Sequence, residues 1–106
     1  MREVKRTSKF KTSFKRIKKN KKFNQEVFEF VVFSLAADLA LPGHFKDHQL
    51  TGEFKNFREC HLSPDILLIY TKEIDVITLQ LVDIGSHSKF FDFILLSTVL
   101  GTFNPQ

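Results

Sequence analysis

Phe57-Arg58-Glu59-Cys60-His61-Leu62-Ser63-Pro64-Asp65-Ile66-Leu67-Leu68-Ile69-Tyr70-Thr71 reads as two strands joined by a tight turn. The first half alternates, which sets Phe57, Glu59 and His61 on one face and Arg58, Cys60 and Leu62 on the other. From Asp65 to Thr71 almost every residue is apolar, the pattern of a central strand covered on both faces. Ser63-Pro64 is of hairpin length, so the two strands are expected to be antiparallel neighbours. Downstream, Lys72 to Asp75 is a second short polar connection. Beyond it Ile77, Leu79 and Leu81 alternate with Thr78, Gln80 and Val82, a third strand running to Ile84 before Gly85 breaks it.

Upstream of the hairpin the period changes. Phe10, Phe14 and Ile17 recur at helical spacing within Ser8 to Asn20. A second helix starts at Asn24, a suitable N-cap, with Glu26 and Glu29 in its first turns. Its core stripe is Val27, Phe30, Val31, Ser34 and Leu35, and it is expected to end near Leu41-Pro42-Gly43. Arg2 to Arg6 forms a short candidate strand before the first helix, and His44 to Asn56 reads as a loop wrapping the sheet edge. The implied order is β-α-α-β-β-β. This is an α+β domain in which two N-terminal helices pack on one face of a small, mainly antiparallel sheet and leave the other face for partners.

With 106 residues, 42% of them hydrophobic and 13 of them Phe, the chain has material for one modest core. Cys60 is the single cysteine, which excludes an internal disulfide framework and a cysteine-rich zinc site. No apolar run has the length of a membrane span. The default expectation is a soluble protein of a reducing compartment, the cytoplasm. The net charge of +4 conceals an asymmetry: residues 1–22 carry eleven Lys and Arg against Glu3, and the remainder sums to −6. On an amphipathic first helix those lysines form a basic face that attracts polyanions.

Four histidines, His44, His48, His61 and His87, are candidates for proton transfer at neutral pH. Cleavage of an RNA phosphodiester by its own 2′-hydroxyl needs one group to remove that proton, another to protonate the leaving 5′-oxygen, and cations to stabilise charge. Neither a metal nor a covalent nucleophile is required. His48 precedes the sheet, His61 ends one strand beside Asp65 at the start of the next, and His87 follows the last strand, so the topology can bring these ends together. His44 is read as an ordinary surface residue. A His-based zinc site would want a short-spaced His or Cys pair, which is missing. Strand parity puts Cys60 opposite His61, so it is read as a packed thiol and not a nucleophile.

Three segments in order, Lys46-Asp47-His48-Gln49-Leu50, the hairpin quoted above, and Gly85-Ser86-His87-Ser88, closely resemble YafQ-type toxins of the RelE/ParE superfamily. The resemblance covers residues 1–91 and leaves 92–106 as an apolar C-terminal extension without a family counterpart. It implies the RelE-like fold and a toxin of a type II toxin–antitoxin pair that cuts mRNA in the ribosomal A site, without cofactor or metal. His48, His61, Asp65 and His87 match catalytic positions of the family, and Phe91 matches an aromatic near the cleavage site. By that match His87 is expected to be the general acid, His48 and His61 to position or deprotonate the 2′-hydroxyl, and Asp65 to orient an imidazole or act as a base. Glu59, on the same strand face as His61, is a further helper. The resemblance also implies that Lys15, Arg16, Lys18 and Lys19 contact ribosomal RNA and mRNA phosphates, with Lys46 and Lys55 as additional cations. Expected partners are the ribosome, mRNA, a cognate antitoxin and, through it, operator DNA. Two residues depart from the family pattern: Asp83 stands where Arg is common, and Ile66 where some relatives have Trp. The alternative reading is a binding module of the same fold with weakened cleavage, or one acting on another target, as ParE-like relatives act on DNA gyrase.

Overall fold

The computed structural model describes residues 1–73, 77–88 and 90. Its elements are β1 (Glu3–Arg6), α1 (Ser8–Ile17), α2 (Gln25–Ala36), β2 (His48–Gln49), β3 (Arg58–Ser63), β4 (Ile66–Lys72) and β5 (Thr78–Ser86). Short 3-10 turns at Gly43–Phe45 and Gly52–Phe54 flank β2. The strands form one five-stranded sheet in the order β1-β5-β4-β3-β2. Neighbours are antiparallel except β1, which runs parallel to β5. The expected α+β arrangement is therefore present, with one strand more than the pattern suggested. That strand lies in the segment read as a loop: His48 and Gln49 pair with Glu59 and Arg58. Two residues are too few for any periodicity to announce.

Local chemistry accounts for where the helices start. Thr7 caps α1, its hydroxyl oxygen accepting from the Phe10 N–H at 2.9 Å while its O–H donates to the Val82 carbonyl at 2.7 Å, so one side chain ties the helix to β5. Asn24 caps α2 as expected, accepting from the Val27 N–H at 3.1 Å. The helix ends at Ala36, well before Leu41-Pro42-Gly43, because the chain turns at Asp38, which adopts a left-handed φ of 56°.

The helices cover one sheet face. Phe10, Ile17, Val31 and Leu35 meet Cys60, Ile66, Leu68, Tyr70, Leu79, Leu81 and Ile84 in the main core. Each such fully buried leucine contributes about 1.5–3 kcal/mol relative to exposure. The α2 stripe is rotated from the expected one: Val31, Ser34 and Leu35 are buried, but Phe30 is 48% exposed, and Phe28 and Val32 pack inward in its place. On the outer face, Leu67, Ile69 and Phe90 form a second cluster with Phe57 and Val82. That face is therefore partly covered, not left bare for partners.

A bulge sets what the outer face presents. Ile69 pairs with Asp83 but Tyr70 pairs with Leu81, so Val82 is an extra residue in β5. Unbroken alternation would separate Ile84 from Leu81. The bulge instead keeps Leu79, Leu81 and Ile84 in one core and turns Asp83 outward beside Ile69. Among the described residues no helix is long and apolar enough to cross a membrane. The extension 92–106 lies outside the described residues.

Candidate active site

The sheet register assembles the site. His48 pairs with Glu59, Glu59 with Ile69, and His61 with Leu67, so His48, Glu59 and His61 share the outer face. Arg58 and Cys60 turn to the helix side, as the alternation required. Glu59 lies between the two imidazoles: its Oε1 is 3.4 Å from His48 Nε2 and 3.8 Å from His61 Nε2. Its carboxylate is buried, and among the described residues Oε2 has no hydrogen-bond partner. Burial holds the Glu59 carboxyl above the ordinary carboxylate range, while the positive potential of His48 and His87 draws it part of the way back.

The two imidazoles are held differently. His48 Nδ1 donates to the Lys46 carbonyl at 2.6 Å, which leaves Nε2 as the nitrogen facing Glu59. Lys46 itself adopts a left-handed φ of 52°, bringing its carbonyl round to that ring. His61 sits lower in the face; burial, then Lys46, His48 and His87, depress its pKa below the usual imidazole value, against a hydrogen bond to the Pro64 backbone. His87 is exposed on the turn after β5, where its N–H donates to the Asp65 carbonyl at 2.7 Å. His87 contributes a lowering to both the Glu59 and the His61 pKa.

Asp65 enters the site through its backbone. Its carboxylate is engaged elsewhere, at 2.9 Å from Lys22 Nζ, so this residue links the turn carrying His87 to the basic segment after α1. Lys15, Arg16, Lys18 and Lys19 are all exposed, the last two just beyond the helix end. Lys46 and Lys55 are also exposed, and the Lys55 carbonyl accepts from the Gln49 side-chain amide. His44 is an exposed residue whose ring centroid lies 4.2 Å from that of Phe45, the two planes tilted by 35°. Cys60 is fully buried and its thiol is pushed far up, so it is inert at neutral pH. Phe91 lies outside the described residues.

Two features have no counterpart in the sequence pattern. Beneath β2, the Tyr70 hydroxyl donates to Asp47 Oδ1 and accepts from Arg58 Nε at 3.1 Å, and Arg58 Nη2 lies 3.4 Å from Asp47 Oδ2. This network pins the residue before His48 and fixes where that imidazole stands. At the opposite edge, Lys9 Nζ lies 3.6 Å from Asp83 Oδ2. Neither pairing has a local signal, since the partners are brought together only by register and by the bulge.

A family model for the YafQ bacterial toxin of type II toxin-antitoxin systems matches residues 2–92. The chain belongs to the YafQ family. Among YafQ relatives, the mRNA interferase toxin YafQ of Escherichia coli K12 is 42% identical over 53 residues, which is 50% of this chain and 55% of that protein. The putative toxin YafQ of Haemophilus influenzae is 50% identical over 30% of this chain and 31% of its own length. The alignments thus span about a third to a half of these two relatives. Solved structures agree over a longer stretch. A metal-bound toxin from Helicobacter pylori is 42% identical, covers 86% of this chain and all of its own, and superposes with a TM-score of 0.78. YafQ in the Escherichia coli DinJ-YafQ complex is 27% identical over 86% of this chain and 99% of its own, with a TM-score of 0.74. Among the described residues of this chain no group of three or more His, Cys, Asp and Glu is placed to hold an ion.

Proposed function

We propose that this YafQ-family chain is a ribosome-dependent mRNA endoribonuclease, the cytoplasmic toxin of a type II toxin–antitoxin pair, which cuts mRNA in the A site by metal-independent acid–base catalysis. The observation that carries this reading is the outer-face cluster, in which His48 and His61 present Nε2 at 3.4 and 3.8 Å to the buried Glu59 carboxylate. A carboxyl held above its ordinary range is a competent acceptor for a 2′-hydroxyl proton near neutral pH, directly or through His48. The 2′-oxygen then attacks phosphorus, the bond to the 5′-oxygen breaks, and His87 donates the proton that the leaving oxygen takes up. The products are a 2′,3′-cyclic phosphate and a 5′-hydroxyl. Lys46 supplies positive potential to the phosphorane-like transition state, a contribution of a few kcal/mol for a well-placed donor, and His61, its pKa depressed toward the neutral ring, positions the 2′-hydroxyl. Asp65 acts as a positioning residue through its carbonyl bond to His87.

The name of the Escherichia coli relative, mRNA interferase, supports the reaction class, and the DinJ-YafQ complex supports an antitoxin as the partner; operator DNA, reached through that antitoxin, is part of the proposal alone. Toeprinting in a cell-free translation reaction tests the reading. Cuts within the A-site codon that require ribosomes and persist with chelator are expected; no cuts from folded protein would leave only a binding module of this fold.

The basic end has its own test. Lys15, Arg16, Lys18 and Lys19 are proposed to meet ribosomal RNA and mRNA phosphates. Reversing all four to Glu is expected to weaken ribosome binding steeply and to flatten its dependence on log salt by about 0.7 for each single-strand phosphate that is no longer neutralised. Binding unchanged at moderate salt would remove α1 from the interface.

A further inference from the structure

Behind the His48–Glu59 pair, on the helix side of the same three strands, lies a closed row of polar groups. His48, Glu59 and Ile69 are partners across β2, β3 and β4, and Arg58 and Tyr70 are partners one residue away on β3 and β4. Asp47 precedes His48, so Asp47, Arg58 and Tyr70 are each the chain neighbour of a residue in the outer row. Tyr70 is 0% exposed, and a phenol at that depth needs partners for its hydroxyl. Arg58 Nε donates to it at 3.1 Å, and it donates to Asp47 Oδ1. Arg58 Nη2, 3.4 Å from Asp47 Oδ2, closes the ring of contacts. A guanidinium only donates and a carboxylate only accepts, so the hydroxyl between them has one polarity and its proton points at Asp47. Burial, and then the Asp47 carboxylate, push the Tyr70 phenol far up, which keeps it a donor throughout the neutral range.

We propose that Tyr70, acting through Asp47, is a positioning residue for the nuclease reaction: it holds His48 in the one tautomer whose Nε2 is unprotonated and turned to the outer face. The proposal rests on the nuclease reading above and assigns to it residues on the far side of the sheet from the imidazoles. β2 contributes two residues and two paired positions, too little ladder to hold an edge strand in place by itself. The remaining restraint comes from its flanks. On one side of His48 the Leu50 N–H donates to the Phe57 carbonyl at 3.0 Å. On the other, Asp47 is clamped by Tyr70 and Arg58, and Lys46 before it takes the left-handed φ of 52° that brings its carbonyl to His48 Nδ1 at 2.6 Å. That φ is costly for a lysine and persists only where the surroundings enforce it; the clamp on the next residue supplies the enforcement. A carbonyl only accepts, so Nδ1 carries the proton, and the neutral ring keeps Nε2 as its basic nitrogen, 3.4 Å from Glu59. Without the hydroxyl, Lys46 relaxes and the Nδ1 bond is lost. The ring can then carry its proton on Nε2, where it blocks the acceptor.

The test pairs cleavage on programmed ribosomes with NMR spectra of the histidine ring nitrogens, the His48 signals being identified by their loss in His48→Gln. Tyr70→Phe removes one oxygen and leaves Arg58 and Asp47 to each other; Asp47→Ala and Asp47→Asn accompany it. At alkaline pH, where the ring signals no longer move, the parent is expected to show His48 as the Nδ1–H tautomer. Tyr70→Phe and Asp47→Ala should show a mixture or the Nε2–H form. Both should cut about tenfold or more slowly in a single turnover, within the roughly 10²-fold that a misplacement of about 1 Å can cost. The protein concentration that half-saturates ribosomes should stay at the parental value. Asp47→Asn, whose amide oxygen still accepts from the Tyr70 hydroxyl, should recover most of the rate and keep the tautomer. Should Tyr70→Phe fail to fold, Asp47→Ala, at a side chain 23% exposed, decides alone. Parental rates in both variants, or slower cleavage with the His48 spectrum unmoved, would overturn the proposal. A tautomer change in these variants of a chain whose parent makes no A-site cuts would keep the positioning and remove the nuclease reading. Cuts by the parent, with His48 unmoved in every variant, would keep the nuclease and remove the positioning.

Discussion

Replacing His87 with Gln is expected to lower the rate of A-site cleavage by about 10²–10⁴-fold, the usual cost of removing a general acid, while leaving the protein folded and bound to ribosomes. The expectation follows from how His87 is held. Its side chain is exposed, and its part in the architecture is a main-chain bond from its N–H to the Asp65 carbonyl at 2.7 Å, which glutamine keeps. The imidazole is not part of the core, so thermal unfolding should shift by less than that of a core variant. What glutamine cannot do is deliver a proton to the departing 5′-oxygen. The effect should therefore fall on the single-turnover rate and not on the protein concentration that half-saturates programmed ribosomes. The limb of the pH–rate profile that requires a protonated acid should vanish with it. A variant that cuts at the parental rate would transfer the acid role to His48 or His61. A variant that fails to bind would make His87 a contact residue instead.

The parts of this architecture that are legible in the sequence are those governed by local chemistry. Asn24 capping α2, the parity that separates Glu59 and His61 from Arg58 and Cys60, and the doubly covered strand at Ile66–Lys72 all follow from spacing a few residues long. From parity alone, Glu59 already shares a face with His61. What parity does not disclose is that the edge strand at His48–Gln49 brings a second imidazole to the same carboxylate, because a two-residue strand has no period. The bulge at Val82 is hidden for a related reason. It depends on Ile84 and Leu81 both finding room against the helices, a packing outcome that overrides simple alternation. The Lys22–Asp65 and Lys9–Asp83 pairs join residues far apart in the chain. They exist only once the first helix has been laid along the sheet. Phe30 illustrates the limit on the helix side: its spacing fits the core stripe, but α2 meets the sheet at a rotation that sends Phe28 inward and Phe30 to the surface. Residues that bear chemistry are thus easier to foresee than the contacts that hold them in place.

Glu59→Gln should separate catalysis from stability in opposite directions. The side chain lies in the sheet face with Oε2 unpaired among the described residues, and burial raises its carboxyl above the ordinary value of 4.5. A raised carboxyl means that the folded protein takes up this proton more readily than the unfolded chain does. The favourable contribution of Glu59 is therefore complete below pH 4.5 and is lost as pH rises through the folded-state value. Above that window the residue is a buried anion whose main compensation is positive charge on its imidazole neighbours. Glutamine fills the same space without a charge, so chemical denaturation at about pH 8 should show the variant more stable by on the order of 1 kcal/mol. The gap should close as pH falls toward 4.5. Cleavage should move the other way, down by about 10²–10⁴-fold, because an amide cannot accept the 2′-hydroxyl proton. A gain in stability coupled to a fall in rate is the signature of a group kept for chemistry at a structural cost, as active sites commonly keep them. If the variant is instead less stable at that pH and cuts normally, Glu59 serves as a structural counter-ion for His48 and His61, and the proton acceptor is His48.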